Sequence, residues 1–243
     1  MSNPILNENF LSGERVLEAE PMTINGAIQK TLILLALVVI AAFYTWSLVF
    51  SGFMDKAVIL SFGGAIVGFV LALVISFTRG STAPFLAPVY AICEGLFVGG
   101  ISALFENQYA GLVIQAVAAT FAAAFSMLIL YRLNLIRCTE KFRAVIFTAT
   151  MSVCVVYIIQ IVASFFGRSI PQIFTASPIG IGFSALVVLI AAFNLIVDFD
   201  FIERGSENYL PKNYEWVGAF GLTVTLVWLY LEILRLLAKL NRR

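Results

Sequence analysis

The sequence predicts an all-α integral membrane protein of seven transmembrane helices, and three observations carry that prediction. Of its 243 residues, 61% are hydrophobic and 12% are charged, which is about half the charge of an ordinary soluble domain. Mean hydropathy is +0.98. Seven stretches reach the roughly 20 apolar residues that a helix needs to cross about 30 Å of hydrocarbon. They are continuously apolar where barrel strands would alternate, so helices are what satisfies their backbone in lipid.

The chain begins with a polar segment, residues 1–30, carrying Glu8, Glu14, Glu18 and Glu20. It is polar enough to be read as extramembrane, and it is not read as a secretory signal, which would need a basic start. Its pieces Asn7–Phe10 and Arg15–Ala19 either cap one mouth of the bundle or form a tail. The seven-helix domain then occupies residues 31–240. The first span, 31–53, closes at Ser51-Gly52, and the second, 57–78, at Arg79-Gly80-Ser81. The third, 84–105, meets Glu106-Asn107-Gln108. The fourth, 110–131, runs into a basic cluster from Arg132 to Arg143. The fifth, 144–166, stops at Gly167-Arg168-Ser169 with Pro171; the sixth, 179–201, precedes the turn-rich stretch Gly205 to Pro211; the seventh is 217–238. Gly, Pro, Ser and Asn at these junctions are breaker chemistry, and the short connections make successive spans antiparallel neighbours.

Within the spans, Gly64 to Gly68 and Gly95 to Gly99 are GxxxG spacings, read as close intramolecular packing. Cys93, Cys138 and Cys154 show no CxxC spacing and are read as small core residues. Nine Lys or Arg fall on the N-terminal side of the bundle, namely Arg15, Lys30, Arg79, Arg132, Arg137, Lys141, Arg143, Arg204 and Lys212. Five fall on the other, namely Lys56, Arg168, Lys239, Arg242 and Arg243. The excess places the N-terminus in the cytoplasm.

The charge balance excludes a nucleic-acid binder, because 15 Lys+Arg against 14 Asp+Glu leave no surplus cation for phosphate. There is no histidine, which removes Ser-His and Cys-His catalysis, HExxH zinc sites and imidazole switching. No GxGD motif of an aspartyl intramembrane protease is present either, so the chain is not expected to be an enzyme, and no cofactor is expected. Proton or cation chemistry must run on carboxylates. Five charges remain inside the spans: Glu94, Asp198, Asp200, Glu232 and Arg235. Each is a candidate functional residue, since an acid at the bilayer centre costs about 2.5–3.5 kcal/mol on insertion scales.

Asn194 and Asp198 share a helix face while Asp200 points about 200° away. Asp198 is therefore the inward candidate and Asp200 the interfacial, solvated one. Glu232 is read either as a sensor or as half of an internal ion pair with Arg235. Glu94 is read as a pore or cavity acid, or as a hydrogen-bond acceptor to Tyr90 or a neighbouring helix. Two carboxylates brought together in a low-dielectric interior cannot both ionise cheaply and share a proton, which makes a pH sensor without histidine. Their oxygens also suit a hard cation such as Ca²⁺.

The stretch Asn194-Leu-Ile-Val-Asp198-Phe-Asp-Phe-Ile202, followed by Leu229-Tyr-Leu-Glu232-Ile-Leu-Arg-Leu-Leu237, resembles the YccA/Bax inhibitor-1 family, also called the transmembrane Bax inhibitor motif family. The phrase Ala87-Pro-Val-Tyr-Ala-Ile-Cys-Glu-Gly-Leu-Phe-Val-Gly99 is similar to its bacterial branch. The resemblance spans residues 28–240. It implies six helices around a central C-terminal seventh, a place in the bacterial cytoplasmic membrane, and a pH-sensitive Ca²⁺ leak. It further implies that Asp198 and Glu232 form the sensing pair and transiently ligate Ca²⁺, with Glu232 standing where the family has aspartate. An arginine latch is implied too, for which Arg79 and Arg235 are the candidates. The loop between Asp198 and Glu232 is longer than in compact members, which raises a question of depth for that pair. The competing reading is a non-conducting membrane regulator that binds a membrane protease or stress factor. A third is a proton-coupled transporter with a cavity around Glu94.

Overall fold

The structure, a computed structural model, describes residues 20–78, 81–166 and 171–242. Seven long helices follow one another: α1 (Ile24–Phe50), α2 (Met54–Phe77), α3 (Ala83–Gln108), α4 (Leu112–Arg132), α5 (Glu140–Phe165), α6 (Pro178–Glu207) and α7 (Tyr214–Asn241). A single helical turn, Pro171–Phe174, precedes α6. Each of the seven is long and apolar enough to span a membrane. Their outward faces carry large apolar side chains such as Phe43, Phe77 and Phe165, which belong against lipid. Cys154 also lies on the exposed surface, whereas Cys138 is buried and Cys93 half-buried.

The helix ends have local causes. α1 starts earlier than 31 because the Thr23 hydroxyl caps it, accepting from the Gly26 N–H at 3.0 Å. Thr139 and Ser177 do the same for α5 and α6. At α4 the turn needs a glycine, Gly111 at φ +81. There the Glu106 carboxylate accepts from the Gly111 and Val113 N–H groups at 2.6 and 3.1 Å. α6 runs past the expected end at 201 and straight through Gly205, reaching Glu207. That glycine breaks nothing. It is buried, and a Cβ there would stand 2.8 Å from Met22 Sδ, so it serves contact with the segment before α1.

α7 packs against α1, α3, α4 and α6, and it holds the largest buried set of any helix. It is the centre on which the bundle is assembled. α2 packs on α1 and α3, and α5 packs on α6. The GxxxG glycines act inside the chain. A Cβ on Gly95 would stand 2.9 Å from Val38 Cα, and one on Gly99 2.6 Å from Ala42 Cα, so α3 lies backbone-to-backbone on α1. Gly64 admits the Cys93 carbonyl of α3 in the same way. The polar link between α3 and α7 is Ser102 Oγ to Tyr230 Oη at 2.7 Å.

Candidate functional site

Asp198 sits nine residues before the end of α6, about 14 Å along the axis at 1.5 Å per residue. Its Oδ2 is buried and has no hydrogen-bond partner among the described residues. Thr225 of α7 stands beside the carboxyl, and a Cβ on Gly221 would stand 3.5 Å from Oδ1. The carboxyl borders a cleft of ≈ 430 Å³ between α2, α6 and α7, lined by Ile75, Ser76, Phe201, Val217 and Phe220 among others.

Glu232 is elsewhere. It lies eleven residues beyond Gly221 on α7, about 16 Å further along the axis. Its Oε1 accepts from Tyr157 Oη at 2.8 Å, from Arg235 Nη1 at 3.0 Å and from Trp228 Nε1 at 3.3 Å. Arg235 Nη1 also donates to Tyr157 Oη at 2.6 Å and its guanidinium lies 5.0 Å from that ring's centre. Asp198 and Glu232 therefore do not meet, and they do not form a joint Ca²⁺ ligand set. Depth is the reason: α6 ascends nine residues past Asp198, while Glu232 is eighteen residues into α7. The two acids lie toward opposite ends of the bundle. Glu232 makes the internal pair with Arg235, and the Tyr157 hydroxyl joins both to α5.

Glu94 is half-buried on α3, one turn after Tyr90 and near it. The Tyr90 ring meets Phe220 edge-on at 4.9 Å, so Glu94 stands behind the wall of the Asp198 cleft. Arg79 lies outside the described residues, and Arg235 is committed to Glu232 and Tyr157. Among the described residues no three His, Cys, Asp or Glu side chains gather as a metal site.

Asp200 is not solvated. Its side chain is 8% exposed and receives Arg143 Nη2 at 2.6 Å and Arg204 Nε at 2.9 Å. The helical angle correctly separates it from Asp198, but α5 covers that second face. Two further charges escape sequence reasoning. Glu215, in the first turn of α7, is 1% exposed; it accepts from the N–H and hydroxyl of Thr23 at 2.9 Å each and pairs with Lys30. Lys239, counted above as a loop cation, is buried. Its ammonium donates to Ser184 Oγ at 2.8 Å, Ile173 O at 2.9 Å and Gly180 O at 3.0 Å. Partners 192 and 55 residues away leave no local signal.

The fold and these sites define a seven-helix integral membrane protein whose last two helices carry buried acids in separate settings. The chain belongs to the Bax inhibitor 1 like family, whose model matches residues 3–242. Comparison with curated proteins and with solved structures yields no match.

Proposed function

We propose that this protein is a pH-sensitive cation leak, with Ca²⁺ as the ion, and that Asp198 is its titrating gate. The observation that carries the reading is the buried Asp198 Oδ2, without a partner among the described residues, beside an open cleft. A protonated Asp198 is neutral and stays in its apolar site at little cost. An ionised one holds a charge that Thr225 alone does not balance, and such a charge recruits water or a cation. Acid then closes the path and alkali opens it. Family membership supports the class of function. Glu232, tied to Arg235 and Tyr157, holds α5 against α7 in this reading and does not share the proton of Asp198.

The test is Ca²⁺ flux from proteoliposomes across a pH series. Asp198→Asn should give a flux that no longer changes with pH. An unaltered pH profile removes Asp198 from the gate. Absence of flux from the wild-type protein at every pH favours the non-conducting regulator.

A further inference from the structure

A second cleft, of ≈ 330 Å³, opens at the end of the bundle where α1 begins and α4 ends. α1 and α4 each pack on α7 and leave a gap between them, floored by Phe199 and Ile202 of α6 and Leu222 of α7. Its walls are Ile28, Leu32 and Leu128, exposed by 48%, 61% and 38%. From Ile24 to Leu32 the cleft follows α1 for about 12 Å into the hydrocarbon. Such a groove takes a chain, not a polar solute.

The mouth is different in character. Arg132, the last residue of α4, borders it and is exposed, with no hydrogen bond or ion pair among the described residues. Of the other cations at this end, Arg143, Arg204, Lys30 and Lys212 are paired with carboxylates, and the exposed Arg137 and Lys141 do not line the cleft. Glu203 borders the mouth from α6. Its Oε2 accepts the Tyr131 hydroxyl, which leaves Oε1 without a partner among the described residues. One uncommitted cation and one anion held by Tyr131 thus stand at the rim of an apolar groove, at the level where a helix pair meets the membrane surface.

We propose that the α1–α4 cleft binds a single zwitterionic phospholipid of the ethanolamine class. An acyl chain lies between Leu32 and Leu128, the phosphate sits on Arg132, and the primary ammonium donates to Glu203. Charge complementarity selects this headgroup. A choline headgroup has no N–H for Glu203, and a net-anionic glycerol headgroup meets the Glu203 charge unbalanced.

The experiment is native mass spectrometry of the purified full chain. It is first equilibrated with equal amounts of phosphatidylethanolamine, phosphatidylglycerol and phosphatidylcholine of the same acyl chains. The wild type should retain phosphatidylethanolamine above the other two. Arg132→Gln should lower its retention about tenfold, the equivalent of one charge-assisted hydrogen bond. Arg132 has no partner among the described residues, so this substitution leaves their contacts intact. Glu203→Gln should abolish the preference for ethanolamine over choline, and Leu128→Trp, which fills the groove, should lower retention of all three. Equal retention of the three lipids by the wild type, or retention of phosphatidylglycerol above the rest, overturns the proposal. So does unchanged retention in Arg132→Gln.

Discussion

Asp198 faces Gly221. A Cβ on that glycine would stand 3.5 Å from the Asp198 Oδ1, so the partner helix presents backbone where a second acid was expected. The acid on α7 is displaced by three turns, at Glu232, where it is fully engaged. Asp198 is left with the Thr225 hydroxyl and a cleft.

Gly221→Asp should build the missing pair, since its Cβ fits at ordinary contact distance. At low pH a proton shared by the two carboxyls should let the variant melt close to the wild type; at high pH, repulsion between them should lower its Tm. Melting in detergent at the two pH values checks this. A Tm difference that does not change with pH shows that the side chains do not meet.

Glu215→Ala should destabilise the chain by about 2–3 kcal/mol, because it strips a buried carboxylate from the Thr23 N–H, the Thr23 hydroxyl and Lys30. Thermal unfolding in detergent reads the loss. Gly26→Ala should act in the same direction, because its new methyl group occupies the place of the Glu215 carboxyl.

Tyr157→Phe removes a hydroxyl that donates to Glu232 and accepts from Arg235, at an expected cost of about 1–2 kcal/mol. The effect should be local. α5 packs mainly on α6, so amide exchange along α5 should accelerate while that of α3 is unchanged. Equal acceleration in both helices would refute a specific tether.

Gly99→Ala places a methyl group 2.6 Å from Ala42 Cα and should cost about 1–3 kcal/mol through overpacking. Gly63→Ala meets nothing within 4 Å and should instead stabilise α2 by up to about 1 kcal/mol through helix propensity. Opposite signs in two melting curves separate packing glycines from incidental ones.

Much of the fold was legible because a bilayer imposes a length and an apolar composition on every span, and both are written locally. All seven helices appear where the hydropathy places them, and Gly95 and Gly99 announce close packing through their spacing alone. Asp198 and Glu94 stand out as acids in apolar runs. Errors arise where a residue's setting comes from another helix. Asp200 looks interfacial on its own helix and is buried by Arg143 from α5. Lys239 reads as a tail cation and is buried against Ser184 and two carbonyls.

By itself, then, the sequence determined a seven-helix membrane protein in which any proton or cation chemistry would have to rest on carboxylates, because composition and the absence of histidine need no contacts to be read. Only the tertiary structure decided which carboxylates are free. That depends on how far α6 climbs before the chain turns into α7. With α6 running through Gly205 to Glu207 and α7 starting at Tyr214, Asp198 stands beside Gly221 and Glu232 lies about three turns further along α7.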